Sequence, residues 1–223
     1  MKILGIETSC DETAAVVVKD VTKILSNAVA SSIEFHQKTG GIIPEVAARE
    51  QVKCILPVIN EALAAARTQP AQLDALAVTV GPGLIGSLLV GVETAKTLAY
   101  IWQKPIIPIN HLQAHLYANL LENRQPQLPA IGLVVSGGHT NLVLVKSHNR
   151  WQWLGGTRDD AAGECFDKTA RALGLGYPGG PAIAKLAKKG HPHAYLLPRP
   201  MLNQKNFDFS FSLLGSMIET VRL

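Results

Sequence analysis

The sequence predicts an α/β fold built from two related units, and three observations lead to this prediction. β-rich runs alternate with longer helical patterns, as in mixed α/β proteins. Residues 130–146 repeat residues 3–19 at a constant offset of 127, with six identities in seventeen positions, which indicates a duplicated hairpin, although a generic β-hairpin could mimic part of the match. The stretch 122–129 carries two prolines among polar residues and is typical of a linker. We therefore expect a first unit over residues 1–125 and a second over 126–223.

The first unit opens with a predicted three-stranded meander. Residues 2–7 and 13–19 are β-rich and are joined by a turn of hydroxyl and carboxyl side chains, and residues 23–30 supply the third strand. A helical pattern then covers residues 44–66. Pro57 lies inside it and predicts a kink or a break into two helices.

A glycine-rich loop at residues 81–87 follows a predicted buried strand at 73–80 and precedes an apolar helix over 87–102. The loop lacks the lysine and the hydroxyl of a Walker phosphate loop, so close packing explains its glycines better than phosphate binding. Gly91, inside the helix, favours close approach by a second helix, and we interpret it as part of a dimerisation face.

Two histidines, His111 and His115, follow the next predicted strand at 105–109 and lie on a predicted short helix. Imidazoles four residues apart share one helical face and can bind one divalent metal ion. Their place at a strand end favours a ligand site over two polar core histidines. A zincin-type metalloprotease needs glutamate after the first histidine, where this sequence has Leu112. We therefore expect a metal site without peptide hydrolysis.

The second unit presents the hairpin tip Ser-Gly-Gly-His-Thr at residues 136–140. Successive glycines let backbone N–H groups converge on an anionic oxygen, although a plain tight turn has the same sequence pattern. A strand over 151–157 and a helix beginning at Asp159, with acidic residues in its first turn, are predicted next. Asp167 on that helix could accept hydrogen bonds from a ribose. A turn at 177–181 precedes a predicted helix over 182–189. Its glycine backbone could lie against a nucleobase, or the turn could simply connect two helices.

The composition excludes several classes of protein. The longest apolar runs fall short of the roughly 18–20 residues of a membrane span, and Glu7 interrupts the first run too early for a signal peptide, so we expect a cytoplasmic protein that does not bind a membrane. Three distant cysteines exclude a disulfide framework. A net charge of +4 suits a nucleic-acid partner without requiring one, because no dense basic run occurs.

Duplicated units with Ser…Thr hairpin tips indicate the actin, Hsp70 and sugar-kinase superfamily, whose members hold nucleotide phosphates between such tips. We therefore expect two ribonuclease-H-like units flanking a cleft, the second of them incomplete.

Six motifs occur in the same order as in the TsaD family, the bacterial tRNA threonylcarbamoyltransferases formerly called O-sialoglycoprotein endopeptidases or glycoproteases. They lie at residues 7–13 (ETSCDET), 110–115 (NHLQAH), 135–140 (VSGGHT), 159–164 (DDAAGE), 177–181 (YPGGP) and 209–212 (FSFS). The resemblance extends from Met1 to about Ser212.

The resemblance implies transfer of a threonylcarbamoyl group from its adenylate to the N6 amine of the adenosine 3′ of the anticodon, in tRNAs reading codons that begin with A. It implies that His111 and His115 hold one divalent ion, iron or zinc. It also implies a heterodimer with the shorter paralogue TsaB, through helices such as the one with Gly91, and work with the ATPase TsaE. The implied adenylate contacts are Val134, Val135, Ser136, Gly137, Gly138, Asp167 and Gly180.

Asp11 and Glu12, on the opposing hairpin tip, are our catalytic candidates for proton handling or substrate orientation. They could equally cap the turn. Attack of an amine on a mixed carbamic–phosphoric anhydride needs positioning and a Lewis acid more than a nucleophilic side chain.

The sequence departs from the family after residue 212. The family continues with Gly-Leu-Lys-Thr, whereas this chain has Leu-Leu-Gly-Ser and stops at Leu223. The resemblance therefore implies C-terminal truncation, with loss of an aspartate that is the third metal ligand and an asparagine that contacts the adenylate. Two other hypotheses stand: an actin-like ATPase or small-molecule kinase, and a non-catalytic scaffold of the tRNA-modifying complex. The histidine pair favours the transferase over a kinase, because such kinases bind magnesium through carboxylates and phosphates.

Overall fold

The structure is a computed structural model that describes residues 1–33, 35–36, 41–121 and 126–214. The chain divides into two compact units, Met1–Gln125 and Pro126–Leu223. Part of the predicted linker, residues 122–125, and the divergent end from residue 215 lie outside the described residues. None of the helices in the described part of the chain has the length and apolarity of a membrane span.

The first unit is built on a five-stranded sheet in the order β3-β2-β1-β4-β5. Its strands are β1 (Lys2–Glu7), β2 (Glu12–Lys19), β3 (Lys23–Ser31), β4 (Ala75–Gly81) and β5 (Ile106–Asn110). The first three form the predicted antiparallel meander, whereas β1, β4 and β5 run parallel. The carboxyl ends of the three parallel strands therefore meet at one edge of the sheet, where open α/β sheets bind ligands.

Two long helices, α1 (Pro44–Ala65) and α2 (Ile85–Trp102), form the core with the sheet. Of the two predicted outcomes at Pro57, the break into two helices is wrong, because α1 continues through this residue as one helix. The kink stays a prediction. A proline inside a helix costs about 3 kcal/mol or more. Burial of an apolar stripe that includes Ile55, Ile59 and Ala62 against the sheet offsets this cost.

The glycine-rich loop is closely packed, as predicted, and the structure shows that its neighbour is the β1–β2 turn. The Leu84 N–H donates to the Ser9 carbonyl at 2.8 Å, and a Cβ at Gly83 would overlap the Ser9 backbone. The dimerisation interpretation of Gly91 is wrong: it is buried, and a Cβ there would overlap Thr8 Oγ1 of the same chain. Its missing side chain lets α2 approach the end of β1, where Thr8 Oγ1 donates to the Ser87 carbonyl at 2.8 Å.

The second unit contains a three-stranded antiparallel sheet, β6 (Ala130–Val135), β7 (Thr140–Ser147) and β8 (Arg150–Gly156). Its strand register repeats that of the first unit at the predicted offset. In the first unit Ile3 pairs with Val18, and in the second unit Ala130 pairs with Val145. Each residue of the second pair lies 127 positions after its counterpart in the first. The registers of the third strands also agree near the hairpin tip. Asn141 pairs with Gly156 in the second unit, as Ala14 pairs with Val29 in the first. Identical registers support the duplication, because register places each side chain on one face of the sheet.

Two helices complete the described second unit, and both begin at positions other than those predicted. Helix α4 (Ala162–Ala172) starts after Asp159 and Asp160, so these residues do not lie in its first turn. Instead, Asp159 accepts hydrogen bonds from the backbone N–H of Phe211 at 2.7 Å and from Ser210 Oγ at 2.5 Å. Helix α5 (Gly179–Ala187) already includes the glycines that were predicted to form a turn.

We expect Val21→Gly to stabilise the protein by about 0.5–1 kcal/mol. Val21 has a φ of 71° and is exposed between β2 and β3, and the Thr22 N–H donates back to the Asp20 carbonyl at 2.9 Å. A β-branched residue at positive φ in so tight a turn is strained, and glycine relieves the strain. Thermal unfolding measures the effect, with Val29→Gly on β3 as the control that should destabilise. An unchanged or lower midpoint for Val21→Gly would contradict this account.

Candidate functional site

The two histidines follow β5 on the short helix α3 (His111–Tyr117), as predicted. Asn110 fixes its start, because its Oδ1 accepts from the N–H groups of Leu112 and Gln113 at 3.0 and 3.1 Å. His111 is therefore the first residue of the helix and His115 lies one turn later. Their Nε2 atoms are 3.0 Å apart, and the two rings meet edge to face.

A third residue, Glu7, orients His111 from the end of β1. His111 Nδ1 lies 3.2 Å from Glu7 Oε2 and 3.1 Å from Ser9 Oγ. Glu7 also accepts from the Ser9 N–H and from Thr79 Oγ1, each at 2.5 Å. Burial raises the pKa of this carboxyl, but the hydrogen bonds from these three residues outweigh burial and lower the pKa to about 2. An ionised Glu7 keeps the proton of His111 on Nδ1, so the Nε2 lone pair points toward His115.

This arrangement fits a divalent metal ion. Metal–imidazole bonds are about 2.0–2.1 Å long, so two nitrogens 3.0 Å apart can bind one ion. Partial burial and the neighbouring His111 lower the pKa of His115, which favours the neutral ring that metal binding requires. Within the described ranges, no cluster of three His, Cys, Asp or Glu side chains has metal-binding geometry. The described donors are therefore two imidazoles backed by a carboxylate.

A cavity of about 360 Å³ opens beside the histidine pair within the first unit. Small side chains of β1, β2, β4 and α3 form most of its wall, with Glu7 and both histidines among the lining residues. The cavity therefore offers mostly apolar space next to the imidazoles.

Asp11 and Glu12 lie in the β1–β2 turn and at the start of β2, respectively. Among the described residues, no hydrogen bond or ion pair joins either carboxylate to the histidine pair. Gln51 of α1 stabilises the turn that carries them. Its Nε2 donates to the carbonyl oxygens of Thr8, Cys10 and Glu12 at 3.0–3.3 Å. The carboxylate beside the histidines is Glu7 instead.

Sequence reasoning missed Glu7, although a signal for it existed. Glu7 ends β1, and the histidine helix begins at the end of β5. Both are strands of one parallel set with β4 between them, so their carboxyl ends lie at one edge. Predicting this strand order would have placed Glu7 near His111.

In the second unit, the tip at residues 136–140 packs against the start of α4. The Gly163 N–H donates to the Ser136 carbonyl at 3.1 Å, and the Ala162 N–H donates to Thr140 Oγ1 at 2.9 Å. A Cβ at Gly163 would lie 2.6–2.8 Å from Ser136 and Gly137 backbone atoms, so only glycine permits this approach.

The Gly-Gly backbone of this tip is open. Gly137 and Gly138 are exposed, and no heavy atom within the described residues would contact a Cβ built on either of them. An exposed turn beside a helix N-terminus is suited to binding an anion through backbone N–H groups. Val134 is 7% exposed and packs inward, whereas Val135 is 53% exposed.

Asp167 and Gly180 lie near each other where α4 packs on α5. Asp167 Oδ1 accepts from the Gly179 N–H at 2.7 Å, and a Cβ at Gly179 would overlap the α4 backbone. Gly180 is therefore in the first turn of α5 rather than in a free loop. The Asp167 carboxylate has a structural partner, which the sequence did not predict.

Comparisons with known proteins agree with the fold. The match to component A of (R)-2-hydroxyglutaryl-CoA dehydratase from Acidaminococcus fermentans covers 99% of this chain and 67% of the dehydratase component, with a TM-score of 0.53 and 15% sequence identity. The activator of 2-hydroxyisocaproyl-CoA dehydratase from Clostridium difficile matches 97% of this chain and 64% of its own, with a TM-score of 0.51 and 12% identity. The predicted actin, Hsp70 and sugar-kinase fold is confirmed.

The family follows from sequence similarity. The family model described as TsaD, tRNA N6-adenosine threonylcarbamoyltransferase, matches residues 23–222. A relative of that name from Thermomicrobium roseum is 56% identical over 218 residues, 95% of this chain and 60% of the relative. Another from Syntrophomonas wolfei is 56% identical over 210 residues, 94% of this chain and 62% of the relative. The chain thus spans somewhat under two thirds of the length of these curated relatives, and it belongs to the TsaD family.

Proposed function

We propose that the chain takes part in transferring a threonylcarbamoyl group from threonylcarbamoyl-AMP to the N6 amine of the adenosine 3′ of the anticodon in tRNA. Family membership supports the reaction. The observation that carries the proposal is the pair of Nε2 atoms of His111 and His115, 3.0 Å apart and backed by the Glu7 carboxylate. This pair suits a metal-assisted acyl transfer and has no role in magnesium-based phosphoryl transfer.

We propose that His111 and His115 hold one divalent ion, iron or zinc. Such an ion would supply a Lewis acid for a carbonyl or phosphate oxygen of the substrate. Glu7 keeps the His111 ring in one tautomer and one orientation. Asp11 and Glu12, on the adjoining turn, are proposed to orient the attacking amine or to accept its proton.

We propose that the second unit binds the adenylate. The exposed backbone of Gly137 and Gly138, with the Ser136 hydroxyl and the start of α4, is suited to the phosphate. We propose that Val134 and Val135 contact the adenylate through their backbone and through the exposed apolar side chain of Val135. Asp167 and Gly180, at the α4–α5 contact, are proposed to face the nucleoside.

We propose TsaB as a partner of this chain and TsaE as a further component. Exposed apolar side chains on neighbouring helices support a protein partner: Val52 and Leu56 on α1, and Ile85 and Leu89 on α2, are each 51–75% exposed. A surface of this kind is commonly covered by another protein. The partner surface is therefore the outer face of these helices rather than Gly91.

The test is an assay of the purified chain with radiolabelled threonylcarbamoyl-AMP, tRNA, TsaB and TsaE. We expect label in the RNA, and none when the target adenosine is replaced by inosine, which lacks the N6 amine. ATP hydrolysis by the purified chain alone, without TsaE and without tRNA, would support an actin-like ATPase or kinase instead. Stable binding to TsaB with no labelled RNA would contradict the transferase and support a non-catalytic scaffold.

A further inference from the structure

The second unit contains a basic segment that the site described above does not use. The sequence has no Asp or Glu between Asp167 and Asp208. The later part of this stretch carries five exposed cations, which we call the basic segment: Lys185, Lys188, Lys189, Arg199 and Lys205. In the described part of the chain, none of these five takes part in an ion pair.

Several cations elsewhere in the described part of the chain have acidic partners close by in sequence. Arg49 pairs with Glu45 on α1, Lys96 pairs with Glu93 on α2, and Lys168 pairs with Glu164 on α4, at 2.7–2.9 Å. The basic segment has no acidic residue in its own sequence that could serve in this way. Its charge is therefore available to a partner outside the chain.

The geometry of the first three cations concentrates this charge. Lys185, Lys188 and Lys189 lie in and just after the last turn of α5, at positions i, i+3 and i+4, which share one helical face. Like charges at this spacing destabilise a helix, whereas a helix C-terminus favours cations. The helix end accounts for these three lysines, but it does not account for Arg199 and Lys205, which lie beyond it.

Two exposed aromatic side chains accompany these cations, since Tyr195 lies between Lys189 and Arg199 and Phe207 follows Lys205. Tyr195 is 69% exposed and Phe207 is 61% exposed. Cations that contact phosphates, combined with aromatic faces on which unpaired bases stack, are the features of surfaces that bind single-stranded nucleic acid. An anionic membrane can also take up cations and exposed aromatic rings. The proposed function therefore decides for RNA over a membrane.

We propose that the basic segment binds RNA, with its five cations on backbone phosphates and Tyr195 and Phe207 on unpaired bases. The proposal deepens the proposed function, on which the choice of tRNA as ligand rests. It assigns tRNA contact to residues 185–207 of the second unit.

The test is binding of fluorescently labelled tRNA to the 223-residue chain at a series of salt concentrations. The triple variant Lys185→Gln/Lys188→Gln/Lys189→Gln should bind about tenfold more weakly at about 0.1 M salt. The slope of log affinity against log salt should fall by about 2–3, since each lost phosphate contact removes about 0.7–0.9. The matched control, Lys19→Gln/Lys53→Gln/Lys96→Gln, removes the same charge from lysines that have carboxylate partners. It should bind within about twofold of wild type.

A second pair of variants tests stacking. Tyr195→Ala should weaken binding about fivefold or more without changing the salt slope, and Tyr195→Phe should restore it. Equal affinity and slope for the two triple variants would overturn the proposal. Binding to phosphatidylglycerol vesicles with none to tRNA would also overturn it. RNA binding that persists without threonylcarbamoyl transfer would instead contradict the proposed function alone.

Discussion

His111→Ala is expected to lower the affinity for Zn²⁺ or Fe²⁺ about a hundredfold or more, and to abolish threonylcarbamoyl transfer. Only two imidazoles supply protein donors among the described residues, so removing one leaves a single ligand. His115→Ala should have the same effect, and its side chain is more exposed, so its loss endangers folding less. Calorimetric titration under anaerobic conditions and metal analysis of the purified protein measure binding apart from activity.

Glu7→Gln tests whether the carboxylate positions the histidine. We expect metal affinity to fall about tenfold to a hundredfold, less than for loss of a ligand, because an amide orients the His111 ring less well than a carboxylate. Gln113→Ala, on the exposed side of the same helix, is the control and should bind metal as wild type does. Unchanged metal affinity in His111→Ala would refute the metal-centred mechanism.

Gln51→Met is expected to destabilise the protein by about 2–4 kcal/mol. Gln51 is 1% exposed, and its Nε2 serves the carbonyl oxygens of Thr8, Cys10 and Glu12. Methionine matches the shape of glutamine but donates no hydrogen bond, so buried carbonyl groups lose their partner. The loss is reduced somewhat because Gln51 Oε1 itself has no hydrogen-bond partner within the described residues.

Urea unfolding measures this loss, and the same substitution at an exposed position provides the control. Gln113→Met should change the free energy of unfolding by less than about 0.5 kcal/mol. Because Gln51 holds the turn that carries Ser9, Gln51→Met should also weaken metal binding through the Ser9–His111 contact. A midpoint equal to that of wild type would show that the turn does not depend on Gln51.

Much of the local structure could be predicted because it depends on short-range patterns. The meander, the repeat, the strand before the histidines and the helix that carries them follow from alternation, turn residues and spacing. The sequence left a kink or a break open at Pro57, and local patterns could not exclude the break, because burial of α1 outweighs the local cost of proline. The role of Gly91 was misjudged because its neighbour, Thr8, is distant in sequence.

The sequence by itself determined the local features on which the proposals rest: an imidazole pair one helical turn apart, a glycine-rich turn and the order of family motifs. Spacing along one helix or one hairpin is sufficient for these. Only the tertiary structure decided that Glu7 backs His111, that Gln51 holds the β1–β2 turn and that Asp167 binds the start of α5. These contacts join residues 12 to 104 positions apart, and their formation depends on strand order and helix packing, which no local pattern specifies.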